Sequence, residues 1–261
     1  DDGDPDLGLS ARLDRMEQSA HIDGRWTIQR NTVGIVGYQF AFVDYTADRQ
    51  IGTYYTLAPN PFYPPFLPEF IAIPHPLDSS SRNSRSHKGY VGLEHTFRPD
   101  LMGNIRGGIR YSDFYNSPAQ ETSLAPYFQG SLRWIYAKES FLNVGVSYDL
   151  SATDQYSYSG SDKSITVGAN SAVVYASLTH RILPNLFGRV DGNYQNSTFV
   201  GGAYDQKTQR YYSFGANLEY RFNRHVSAEV GYNYDQLDSD PGVGYGSFER
   251  NRYYVGATVV Y

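Results

Sequence analysis

One feature limits this chain more than any other: apolar and polar residues alternate strictly over stretches of about ten residues, again and again. Tyr253, Val255, Ala257, Val259 and Tyr261 fall on one side of the last stretch, and Arg252, Tyr254, Gly256, Thr258 and Val260 on the other. The same pattern sets Tyr212, Phe214, Ala216, Leu218, Tyr220 and Phe222 against Tyr211, Ser213, Gly215, Asn217, Glu219 and Arg221. It recurs with Val226, Ala228, Val230, Tyr232 and Tyr234, with Leu142, Val144, Val146, Tyr148 and Leu150, and with Phe128, Leu132, Trp134 and Tyr136. A period of two is the mark of extended strands, whose successive side chains point to opposite faces. Helical spacing is nearly absent.

The make-up of the two faces decides what surrounds them. A soluble sandwich turns Lys, Glu and Thr to bulk water. Here the polar face holds Gly, Ser, Asn, Gln and Arg with some acids, and the apolar face begins and ends in rings. Tyr (25), Phe (14) and Trp (2) supply 16% of a chain whose mean hydropathy is only −0.51. Lipid requires this arrangement: aliphatic residues in the hydrocarbon band and amphipathic rings at its two interfaces. A spanning strand takes about 9–11 residues, the length of these stretches. No run is apolar and long enough for a transmembrane helix. In lipid every backbone group must be paired, so such a sheet has to close.

The connections alternate too. Short ones lie at 30–32, 98–100, 137–139, 182–185 and 222–224. Long ones lie at about 45–85, 115–123, 151–171, 197–209 and 237–250, with turn formers at 158–162 and 240–244. The expected fold is therefore all-β: a single closed antiparallel transmembrane β-barrel spanning 1–261, with short periplasmic turns and long extracellular loops. About twelve strands are expected, at 7–15, 20–30, 32–44, 86–97, 101–114, 124–136, 139–150, 172–182, 186–196, 210–221, 225–236 and 251–261. If the opening DDGDPD is the remnant of a longer chain, further strands precede it and the barrel is larger. No secretory signal is visible, so an exported protein is seen in its mature form. A propeller would need four strands in each 40–45-residue period, where two are found. A soluble sandwich or solenoid is the other alternative.

Hairpins such as EHTFRPDLMGNIRGGIRYSDF (94–114), THRILPNLFGRVDGNYQNS (179–197) and LEYRFNRHVSAEVGYNYDQ (218–236) run an aromatic–Arg pair into a tight turn and then into a Gly- and Tyr-rich strand. With the terminal RNRYYVGATVVY, they make residues 20–261 resemble bacterial outer-membrane β-barrel proteins, most closely the putative beta-barrel porin 2 family. The resemblance implies a place in the bacterial outer membrane, among lipopolysaccharide and phospholipid. It also implies a final strand read by the barrel-insertion machinery, although Tyr261 stands where Phe is more usual. It specifies architecture far better than function.

The alternation assigns a set of charged residues to the lumen: Arg12, Arg25, Glu94, Arg106, Arg110, Arg133, Arg189, Asp191, Glu219 and Glu229. Most lie three to eight residues from a short turn, so at a rise of roughly 3.3 Å per residue they are expected at similar depth in the periplasmic half. Opposed arginines and acids across a constriction would select polar solutes. The same charges, paired with one another, would fill the lumen instead. The expected function is a porin-like passive channel for small polar solutes. The alternative is a non-conducting structural barrel, or the outer-membrane component of a secretion complex.

The segment 57–76, LAPNPFYPPFLPEFIAIPHP, carries seven prolines and forbids a regular ladder or helix. A plain rim loop, an inward constriction and a docking site for a protein partner all remain open for it. With no cysteine, thiolate chemistry and disulfides are excluded. The six histidines (His21, His75, His87, His95, His180 and His225) show no ligand spacing, so no metal is expected. No cofactor is implied either. Ser177 and His180 fall on opposite strand faces and cannot form a catalytic pair, so an enzyme at the rim is disfavoured. The acids at 235–240 lack a calcium-loop pattern. A net charge of −5 without a basic block argues against nucleic acid.

Overall fold

A computed structural model describes residues 14–260 except 48, 61–69, 154, 156, 158, 160–163 and 244–245. The strands are β1 (Arg15–Gln29), β2 (Thr32–Tyr45), β3 (Gln50–Pro59), β4 (Phe70–Asp78), β5 (Ser84–Arg98), β6 (Leu101–Asp113) and β7 (Thr122–Ala137). They continue with β8 (Ser140–Ser151), β9 (Gly168–Leu183), β10 (Leu186–Val200), β11 (Thr208–Arg221), β12 (Val226–Ser239) and β13 (Phe248–Val259). Eleven of them form one sheet in the order β1-β2-β5-β6-β7-β8-β9-β10-β11-β12-β13, and every neighbour is antiparallel. The sheet is rolled into a barrel wall: Arg15 of β1 lines one cavity together with Gln195 and Ser197 of β10 and Gln209 of β11.

Both outer strands of this sheet run toward the short-turn side. An antiparallel closure between them therefore takes an odd number of further strands. The strand expected over 7–15 lies, but for its last two residues, outside the described residues, as do Arg12 and Tyr261. One expectation is corrected here. No turn separates residue 15 from residue 20, because β1 is continuous and pairs with β2 from Arg15↔Tyr45 down to Gln29↔Thr32. Its outward residues Gln18 and Ala20 stand above the apolar stripe. The stripe fades there although the backbone ladder continues.

Within the wall, parity separates the faces as the alternation requires. Val190, Leu218, Val230 and Val255 stand outward and exposed, and Leu178, Val190, Leu218, Val230 and Tyr253 line a shallow apolar groove. Rings gather near the short turns. Tyr136 stacks on His180 at 5.8 Å and meets its Nδ1 at 3.0 Å, and Tyr220 packs edge-on against Phe222 at 5.0 Å. Outward His180 and inward Ser177 do lie on opposite faces, since Ser177 lines a lumen cavity and His180 lines the outer groove.

The 45–85 connection also departs from expectation. β3 and β4 form a two-stranded ladder in spite of their prolines. Pro76 pairs with Thr53, Pro74 with Tyr55 and Pro59 with Phe70. All three prolines thus share one class of cross-strand pair. In an antiparallel ladder alternate pairs exchange no N–H···O bonds, so a residue without an N–H fits every second position. The base of this hairpin is fixed at the rim. Ile51 and Leu77 are buried with Phe114, Ile165 and Val167 from other outer loops. Tyr55, Leu57 and Phe70, farther out, are exposed.

At the outer end of β11 and β12, Asp240 accepts the Thr208 backbone N–H at 2.7 Å and the Thr208 hydroxyl at 3.1 Å. These two bonds hold its carboxyl below the usual carboxylate range. A depressed pKa stabilises the folded form above the unfolded pKa, and that contribution is lost as pH falls through the folded pKa. The Thr208 amide is therefore expected to stay protected from hydrogen exchange at about pH 4 and to lose protection only below it. Unchanged exchange in Asp240→Ala, which removes the acceptor, would refute the cap.

Candidate functional site: the barrel lumen

The lumen is built from the inward parity of each strand. Its buried side chains gather on the β2–β7 side. Ile35, Tyr90 and Tyr127 form a buried cluster there. Tyr90 donates its hydroxyl to Asp23 Oδ1 at 2.5 Å, and its ring lies 5.7 Å from that of Tyr127. The Lys88 ammonium sits 4.2 Å from the centre of the Tyr127 ring and 3.3 Å from Asp149 Oδ2. Arg110 reaches the same oxygen at 2.8 Å and also donates to the Leu150 carbonyl. A β8 carboxylate thereby ties down cations from β5 and β6.

The sequence-assigned lumen residues form local groups. Glu94 is gripped by Arg25 and lies 3.6 Å from Arg106, so these three meet across β1, β5 and β6. Arg110 belongs to the Asp149 group, four residues farther out along β6 than Arg106. Arg189 and Asp191 lie 3.8 Å apart on one strand, and Glu219 holds Arg221 at 3.0 Å. Glu229 faces Glu219 in register and leans over Gly256. Arg133 rests on the Phe141 ring at 4.9 Å. Asp23, Lys88, Tyr90, Tyr127 and Asp149 were not singled out from the sequence. Asp235 was weighed only among the acids at 235–240, and not as the centre of an outer group in which it accepts from Tyr211 (2.7 Å), Arg250 (3.2 Å) and Arg252 (2.7 Å). Parity alone marks all of them as inward, and no sequence signal says which of them meet.

A second pattern escaped the sequence reading. Tyr90 stands directly across from Gly37, Tyr175 from Gly145, Tyr254 from Gly231 and, on the outer face, Trp26 from Gly34. Each ring lies flat over its glycine, so close that an added Cβ would overlap ring atoms. Such rings cover backbone that glycine leaves bare and pin the register. Inside the lumen they also hold the tyrosines against the wall. At mid-height the far wall, from β8 to β12, presents small polar groups, Ser147, Asn193, Ser213, Gly215, Asn217 and Asn233, between the charges nearer the short turns and the Asp149 and Asp235 groups farther out.

Two cavities bracket the middle of the lumen. The outer one, of about 450 Å³, is lined by Ser19, Ser84, Ser86, Ser112 and Ser151 with Arg110 and Asp149. The inner one, near the short turns, measures about 700 Å³ and spans β2 to β10. No group of three or more His, Asp or Glu suited to a metal occurs among the described residues.

This polar-lined, lipid-faced wall coincides with a known family. The family model described as Putative beta-barrel porin 2 matches residues 75–261. The chain belongs to this family. As a member it is an outer-membrane β-barrel and resides in the bacterial outer membrane, with its apolar face against lipid. Among solved structures it is similar to the NanC porin, at 13% identity over 95% of this chain and 97% of that one, with a TM-score of 0.38. It is also similar to OmpT, an outer membrane protein of Vibrio cholerae. The in-vitro folded form gives 10% identity over 93% and 89% of the two chains with a TM-score of 0.43, and the outer-membrane expressed form gives 11%, 94%, 95% and 0.36. No curated protein sequence matches the chain.

Proposed function

We propose that this porin-family barrel is a narrow passive channel for small polar solutes. The lopsided lumen carries this reading. At mid-height Lys88, Arg106, Arg110, Tyr90 and Tyr127 crowd the β2–β7 side, while the β8–β12 side presents Ser147, Asn193, Ser213 and Asn233 with Tyr175 laid flat, its charges Arg189, Asp191, Glu219 and Glu229 lying nearer the short turns. A path along that wall is lined by hydrogen-bonding groups that can replace a solute's water. Arg25, Glu94, Arg106, Arg110, Arg133, Arg189, Asp191, Glu219 and Glu229 are the lining charges of this channel. In this reading its work is passage and not catalysis. The barrel-insertion machinery reads the last strand in this proposal, and the exposed apolar hairpin β3–β4 is the surface for a protein partner.

The packed middle favours a second reading. Lys88, Arg110 and Asp149 with Tyr127 form a cross-strand ion network of the kind a non-conducting structural or secretion-complex barrel would hold, although Arg110 Nε and Asp149 Oδ1 are left without hydrogen-bond partners. Planar-bilayer recording of the purified protein separates the two. Stable unit steps are expected, and Tyr127→Ala is expected to enlarge them by removing a ring from the crowded side. A silent bilayer, with the protein shown folded by heat-modifiable gel migration, would overturn the channel and support the second reading.

A further inference from the structure

The inner cavity has an uneven charge lining. Arg30, Arg133 and Arg189 face it against one carboxylate, Glu94. That carboxylate is already engaged by Arg25 and Arg106, neither of which lines the cavity. Among the described residues, Arg133 has no carboxylate within ion-pair distance. Its guanidinium is instead held on the face of Phe141, which fixes the plane of its donors. Arg189 touches Asp191 only at 3.8 Å, the longest of the ion pairs, and its side chain is 57% exposed. Two donor forks therefore open into one chamber.

We propose that this chamber binds small hydroxylated carboxylates, and that the channel favours anionic solutes as a result; the second clause rests on the channel reading above. A guanidinium offers parallel N–H donors that match the two oxygens of a carboxylate. Three strand steps separate β7 from β10, about 14 Å along the wall. Two long arginines reaching inward from those strands leave room for a molecule of several heavy atoms. The polar part of the remaining lining suits hydroxyl groups: Asn104, Ser131, Asn143 and Ser177, beside the Tyr175 ring. Asn104 already donates to the Ser131 hydroxyl at 2.6 Å, which leaves the amide carbonyl oxygen as an acceptor. The net charge of the chain, −5, has the opposite sign. At physiological salt a charge is felt over about 8 Å, so the local arginines set the potential in the chamber.

The test uses the full chain in lipid nanodiscs. Calorimetric titration with gluconate is expected to show binding, and glucose, its neutral counterpart, none. Arg133→Ala and Arg189→Ala are each expected to weaken gluconate binding about tenfold, the effect of one charge-assisted contact. Arg133→Lys is expected to keep part of it. In a bilayer under a potassium chloride gradient, the reversal potential is expected to favour chloride, and less so in either alanine variant. Either variant alone suffices if the other fails to fold. Gluconate binding unchanged in both variants, or glucose bound equally well, would overturn the site. Unit steps with a cation preference and no gluconate binding would remove the site and leave the channel. Gluconate binding without unit steps would remove the channel and leave the site.

Discussion

Arginine in place of Val230 lowers the unfolding free energy of the barrel in vesicles by about 2–4 kcal/mol, the cost of a charge near the bilayer midplane. Arginine in place of Asn193 changes it little. Val230 stands outward between Leu218 and Val255, and more than half of its surface faces lipid. Asn193 stands inward between Tyr175 and Ser213, beside the carboxylate of Asp191 two residues along the strand. The contrast depends only on which face each residue occupies. Reversible denaturant titration followed by tryptophan fluorescence reads both variants. Equal destabilisation would mean that the two faces of this wall are wrongly assigned.

The second expected result concerns two glycines that look alike in sequence. Gly89 and Gly108 both sit within the β5–β6 ladder. An added Cβ at Gly89 meets nothing within 4 Å. At Gly108 it would overlap the Gly89 carbonyl oxygen and lie 2.7 Å from Tyr90 Cα. Those are backbone atoms, which cannot swing aside as the tip of a flexible side chain can. Gly108→Ala is therefore expected to destabilise by about 3 kcal/mol, the upper end of overpacking costs. Gly89→Ala is expected to be neutral or to stabilise by about 0.5 kcal/mol, because alanine has less freedom to lose in a strand. Gly37→Ala should fall between them. The Tyr90 ring that covers Gly37 can shift, but it then loses its hydroxyl bond to Asp23. Heat-modifiable gel migration and denaturant midpoints check all three. A harmless Gly108→Ala would remove the close approach of β5 and β6.

How much of this was readable from residues alone follows one physical divide. Strand direction, face and approximate length are local properties. A period of two and the choice of side chains for lipid, interface or lumen are written within ten residues, so β2 and β5 to β13 were legible to within a few residues. The short turns were legible for the same reason. β1 was misread at its outer end because Gln18 and Ala20 interrupt the apolar stripe where the strand leaves the hydrocarbon, while backbone pairing to β2 continues. The β3–β4 ladder was missed because proline was weighed as a residue type. What decides its tolerance is pair parity, a relation between two strands that neither strand contains alone.

The lumen shows the same limit. Alternation by itself put Arg25, Glu94 and Arg106 inside, and the rolled sheet brought them into contact. Alternation equally put Arg133 and Arg189 inside, and there the register left them facing open space. Which inward charges neutralise one another depends on register across strands as much as 69 residues apart, as with Arg25 and Glu94. It also depends on the curl that sets the crowded wall against the open one. Residue order alone makes this chain face a membrane on one side and a polar interior on the other, because hydrocarbon admits no other pattern. Where that interior is packed and where it is open came from the assembled sheet, because side-chain meetings across a barrel are set by register and curvature, which no single strand encodes.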